Sequence, residues 1–67
     1  MKTQKVKARM VELGISGEEM AKELKMNPAT FYRKMKNNGN DFSVENLYVF
    51  KDVLKMTDQM ALDFLLL

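Results

Sequence analysis

Apolar residues recur along this chain at helical spacing, and the pattern predicts helices from end to end with no strand. Val6, Met10 and Leu13 form an i, i+4, i+7 stripe, so Lys2–Leu13 reads as a first helix with Lys5, Lys7, Arg9 and Glu12 off the stripe. Gly14 ends it, because glycine takes the left-handed stop without a Cβ clash, and Ile15 folds back on the last turn. Ser16-Gly17-Glu18-Glu19 is a capping box, in which the hydroxyl and the carboxylate three residues on serve each other's free amides. It opens a second helix, Gly17–Leu24, with Met20, Ala21 and Leu24 on its inner face. Ala21 is small where two helices meeting near a right angle would touch.

Lys25-Met26-Asn27 is the turn, with Met26 as its apolar plug. A third helix follows over Pro28–Lys36. Asn27 caps it, and Pro28 at its first position needs no amide partner. Phe31 and Met35 share one face as core anchors, which leaves Ala29, Tyr32, Arg33 and Lys36 on the others. Asn37-Asn38-Gly39-Asn40 is expected to be the most open loop, and Phe42 to tuck back onto the core. Ser43 caps a fourth helix reaching about Lys55, with Leu47, Phe50 and Leu54 on one stripe and Val44 and Tyr48 at its edge. Val49 and Val53 read as a second stripe with a partner of its own. Thr57 caps a last helix over Asp58–Leu67, too apolar at its end for a free tail. The expected core is Val6, Met10, Met20, Ala21, Leu24, Met26, Phe31, Leu47, Phe50 and Leu54.

Composition narrows the chemistry. Sixty-seven residues make one small domain. With no Cys and no His, neither a disulfide, a thiolate site nor the usual neutral-pH general base is available. No nucleophile–base pair and no Gly-rich phosphate loop is visible, so the expectation is no enzyme, no cofactor, no metal and no small-molecule substrate. The polar, basic first residues and the lack of a long apolar run lead to the expectation of a cytoplasmic protein with no signal peptide and no membrane contact. The seven Met residues suit irregular gaps in the core.

The charge is uneven. Met1–Lys36 carries nine cations against four carboxylates, a balance of +5, while Asn37–Leu67 carries two against five, a balance of −3. A basic half joined to an acidic half favours a polyanionic partner for the first. The competing reading of the third helix alone is an ordinary amphipathic surface with solvated cations.

Placed in order, these pieces resemble the Cro and lambda-repressor helix-turn-helix family over about Val6 to Thr57, with the motif at Gly17–Lys36. Glu18-Glu19-Met20-Ala21-Lys22-Glu23-Leu24 is similar to the first motif helix, and Met26 to Met35 to the turn and recognition helix. Thr30-Phe31-Tyr32-Arg33-Lys34-Met35, with Asp41-Phe42-Ser43 and Leu54-Lys55-Met56-Thr57, resembles the small Cro-like regulators of phages and prophages in Gram-positive bacteria. Three positions depart from the pattern. Lys25 stands where the family has Gly in the turn, Lys34 where an aliphatic residue is frequent, and Gly17 where Gln is frequent. The resemblance implies an all-α, five-helix, lambda-repressor-like fold. It implies a transcriptional regulator, a repressor of Cro type, that binds double-stranded operator DNA as a homodimer. The DNA-binding residues it implies are Gly17, Asn27, Pro28, Ala29, Tyr32, Arg33, Lys36, Asn37 and Asn38. The dimer seam at 58–67 is read from the residues rather than the family: Phe64 to Leu67, with Val49 and Val53, are the spare apolar surface that makes it a candidate. The alternative from the residues is a small all-helical protein-interaction module, an antirepressor or an adaptor of the sterile-alpha-motif type.

Overall fold

The computed structural model describes residues Met1–Leu67 and contains five α-helices and no strand. They are α1 (Thr3–Leu13), α2 (Gly17–Glu23), α3 (Pro28–Lys36), α4 (Val44–Val53) and α5 (Asp58–Ala61), the last running into a π-helical turn over Leu62–Leu66. Its radius of gyration, 10.5 Å, matches the roughly 11 Å of a globular chain this long, so no arm extends from the body. No helix is long and apolar enough to cross a membrane.

Local chemistry sets the helix boundaries. Ser16, Asn27, Ser43 and Thr57 all stand in extended backbone and accept a hydrogen bond from an amide of the first turn that follows. Ser16 and Ser43 form reciprocal boxes with Glu19 and Asn46. The backbone of Gly14 turns left-handed at φ 67°, and its amide closes on the end of α1. Lys25 (φ 57°) takes the same conformation after α2, at a cost of about 1–2 kcal/mol for a residue with a Cβ. Lys55 (φ 50°) ends α4 likewise, so that helix stops at Val53 rather than continuing to Lys55.

The core holds Val6, Met10, Met20, Ala21, Leu24, Phe31, Met35, Phe42, Phe50, Leu54, Met56 and Leu65. Three rings form its centre. Phe42 meets Phe50 edge to face at 5.0 Å, and Phe31 lies 6.2 Å from Phe42 and 6.4 Å from Phe50. Met26 and Leu47, expected inside, are only half-buried, because each sits at the rim of the cluster. Val49 and Val53 are half-buried against the same core rather than forming a spare stripe. At 100° per residue, Val49, Val53, Phe50, Leu54 and Leu47 span one wide arc of α4, while Val44 and Tyr48 fall outside it.

The C-terminal end departs from a straight fifth helix. The Leu67 amide donates to the Leu62 carbonyl five residues back (3.0 Å), and the widened turn carries Leu65 into the core. The Lys2 amide donates to the Phe64 carbonyl (2.7 Å), while the Lys2 and Lys5 ammonium groups pair with Asp63. Hydrogen bonds from both lysines hold the Asp63 carboxyl below the usual carboxylate range. The 37–40 loop is also more folded than expected. Gly39 is buried against the Met1 side chain at φ 68°, although Asn37, Asn38 and Asn40 are exposed.

Candidate functional site

Helix α3 is mounted rigidly. At its start, the Asn27 side chain accepts from the Ala29 amide at 2.8 Å, and the Met26 amide donates to the Ala21 carbonyl at 3.0 Å. Ala21 is fully buried at this approach of α2 to the turn. Phe31 and Met35 anchor the middle of α3 in the core. At its end, the Gly39 amide closes on the Lys34 carbonyl at 2.8 Å. Lys34, half-buried, donates its ammonium to the Asp41 carbonyl at 3.0 Å and stands over the Phe42 ring at 6.0 Å. Its aliphatic stem thus lies at the surface beside the core, while Met35 fills the interior.

The outward face of α3 carries the residues singled out from the sequence. Asn27, Pro28, Ala29, Tyr32, Arg33, Lys36, Asn37 and Asn38 are exposed, and Gly17 is half-exposed beneath Tyr32. Arg33, Lys36 and Asn37 line one shallow polar hollow together with Asp41. The Asn37 amide donates to the Asp41 carboxylate at 3.0 Å. The start of the face is small and flat, with Pro28 and Ala29 on it.

Charge pairing is uneven across the molecule. Ion pairs join Lys2 and Lys5 to Asp63, Arg9 to Glu12 and Lys51 to Asp58, and none involves α3. Arg33 and Lys36 therefore face solvent outside any ion pair, with the Asp41 carboxylate of the same hollow taken by Asn37, while Lys34 is half-buried on the Asp41 carbonyl. Arg9, counted from the sequence among the free cations, is structural instead. Its guanidinium donates to the Leu54 and Lys55 carbonyls (2.9 and 3.1 Å), capping the C-terminus of α4.

Two residues beside the face had no signal in the sequence. Tyr32 donates its hydroxyl proton to Glu18 Oε1 at 3.0 Å, and this bond to the carboxylate, with desolvation and the carboxylate's charge, pushes the phenol's pKa up. Asp41 ties the end of α3 to its loop through both its carbonyl and its carboxylate. Residues 14 apart on different helices leave no local periodicity to detect, so Glu18 read only as part of a cap. Glu19, the residue that does cap, turns its carboxylate to the Ser16 amide and hydroxyl, and those bonds lower its pKa.

A second feature is apolar. Val44 and Tyr48 on α4 are about 70% exposed and border a groove of about 210 Å³ completed by Leu47, Ala61, Leu65 and Leu66, with Lys51 at its edge. Leu62 and Leu67 are exposed beyond it. No group of His, Cys, Asp or Glu side chains is arranged to hold a metal ion. Comparison with known protein families, with curated proteins and with solved structures found no match to this chain.

Proposed function

We propose that this protein is a sequence-specific, double-stranded DNA-binding regulator of the Cro-like helix-turn-helix type, with α3 as the recognition helix. One observation carries the reading: α3 is fixed by the core along one side and at both ends, yet presents Arg33 and Lys36 unpaired beside a small-residue start. A rigid helix with that face suits insertion into a major groove, where base edges are flanked by phosphates. Arg33 is assigned to guanine or to a phosphate. Lys36, Asn37 and Asn38 hold the phosphate backbone, which sets register without reading sequence. Asn27, Pro28 and Ala29 allow close approach, and Gly17 offers only its backbone amide at the start of α2. The phage or prophage setting and a repressor role follow the sequence resemblance.

Two copies act together in this reading. One recognition helix spans only a few base pairs, and paired subunits reach half-sites about 34–36 Å apart. The exposed apolar surface of Val44, Tyr48, Leu66 and Leu67 supports a homodimer seam on α4 and the C-terminal turn, off the cationic helix. The same groove is the observation that favours a protein-interaction module instead, and a duplex titration separates the two readings. Arg33→Ala should weaken binding by about 1–3 kcal/mol and relax preference at one base pair if Arg33 reads guanine. If it grips phosphate, affinity falls about equally on all sequences and the salt slope shrinks by about one. Gel shifts on selected and scrambled duplexes at two salt concentrations distinguish these outcomes. No loss on either duplex removes Arg33 from the interface.

A further inference from the structure

The Glu18–Tyr32 bond sets a carboxylate against α3, whose cations join no ion pair. Tyr32 is about half exposed (48%), and its ring is held from two other sides. It stands edge-on to Phe31 at 5.6 Å and covers Gly17 so closely that a Cβ there would fall 2.6 Å from the ring atoms Cε1 and Cζ. Glycine at position 17 is thus the space that lets Tyr32 lie down and reach Glu18. Glu18 is exposed and joins no ion pair, so its charge is met only by the Tyr32 hydroxyl and the N-terminus of α2. The phenol has one proton and gives it to Glu18, so it has none to offer a phosphate.

We propose that Glu18, clamped by Tyr32, is a specificity-determining residue of the α3 face: its fixed carboxylate penalises any docking that sets a phosphate against Tyr32. This rests on α3 being the DNA-binding helix. The physical cause is like-charge repulsion that solvent screens but does not abolish at contact distance. Attraction of phosphates by Lys36, and by Arg33 where it grips phosphate, favours every duplex and every register equally. A negative charge held at Tyr32 weakens the misplaced complexes most, since these are held by phosphate contacts only. Discrimination then comes from a repulsive element as well as an attractive one.

The test uses a 20-bp random-sequence duplex pool and a pool enriched on the wild-type protein, with dissociation constants measured by fluorescence anisotropy at two salt concentrations. Glu18→Gln should tighten binding to the random pool by about two- to fivefold, the range one exposed charge pair spans. It should tighten the enriched pool less, so the ratio between pools falls, and the gain should shrink at higher salt. Gly17→Ala, which pushes Tyr32 off its seat, should lower the ratio in the same direction. Glu19→Gln removes a charge one residue away while keeping a side chain able to complete the capping box, and should leave the ratio unchanged. An unchanged Glu18→Gln on the random pool overturns the inference, as does an equal gain from Glu19→Gln, which would make the effect one of net charge. Weaker binding of Glu18→Gln to the enriched pool also overturns it, because the carboxylate would then be accepting from a base. Wild-type protein that binds no duplex overturns the DNA-binding reading itself and this inference with it.

Discussion

Ala21→Leu tests the join on which the α3 face depends. Ala21 is fully buried, and its carbonyl accepts the Met26 amide at 3.0 Å, so the turn backbone folds directly back onto this residue. Leucine adds three carbons where nothing is free to move without shifting α2, the turn or Phe31. Overpacking of this kind costs about 1–3 kcal/mol. A chain of this length has a total stability of about 3–10 kcal/mol, so the loss is a large share of it. Each kcal/mol moves the melting temperature of so small a domain by about 4–8 °C, and a cost of about 2 kcal/mol therefore lowers Tm by about 8–16 °C. Thermal unfolding followed by circular dichroism at matched protein concentration reads the shift. Ala29→Leu is the control: Ala29 is exposed, and the substitution should stay within about 0.5 kcal/mol of the wild type. A Tm for Ala21→Leu equal to that of the wild type would refute a tight α2–turn approach, and with it the rigid mounting of α3.

Two further outcomes follow from the other end of the molecule. Because Lys2 and Lys5 hold the folded Asp63 carboxyl below its ordinary value of 3.8, the stability it supplies is present above that value and is lost as pH falls through the lower, folded pKa. Tm should therefore drop more steeply in acid for the wild type than for Asp63→Asn, and parallel curves would show that the pair contributes nothing. Leu66 is 63% exposed in the single chain, so Leu66→Asp should cost the monomer little while weakening the proposed self-association and DNA binding together. Sedimentation of the wild type as a monomer at about 100 µM, far above a micromolar dissociation constant, would refute the dimer.

What could be read from the sequence was what is set within four residues. Ser16, Asn27, Ser43 and Thr57 all cap as their spacing implies, because the acceptor and the amide it serves lie two or three residues apart. Phe31 and Met35 pack inward for the same local reason. The readings that needed correction depend on three-dimensional neighbours. The apolar arc of α4 is wider than one stripe, and its period does not tell which part the three-ring cluster claims, so Val49 and Val53 join the core and Leu47 stays at its rim. The straight fifth helix gave way because burial of Leu65, with the Lys2 amide taking the Phe64 carbonyl, accompanies a wider turn. At the candidate site, the exposed residues of α3 were legible from their period. Glu18 as the partner of Tyr32, Asp41 as the partner of Lys34 and the structural role of Arg9 were not, since those bonds join residues 14, 7, and 45 to 46 positions apart.

The rigidity of α3 determines how the proposed docking would divide its costs. A helix held at its cap, its middle and its last turn has no backbone freedom left to lose, so binding is rigid-body placement of a preformed surface. The remaining entropic cost falls on the long side chains, about 0.5–1.5 kcal/mol for each of Arg33 and Lys36 when immobilised. Tyr32 differs. Its ring is already seated on Gly17 and Phe31, and its hydroxyl is already bonded, so ordering it costs almost nothing further. What holds it is a carboxylate, however, and that charge opposes the phosphates the two cations attract. The mobile side chains thus supply attraction that any duplex can satisfy, while the seated pair supplies repulsion that depends on placement. Substitutions at Lys36, and at Arg33 if it grips phosphate rather than guanine, should act mainly through the salt-dependent part of affinity, and substitutions at Glu18 or Tyr32 mainly through the difference between right and wrong sites.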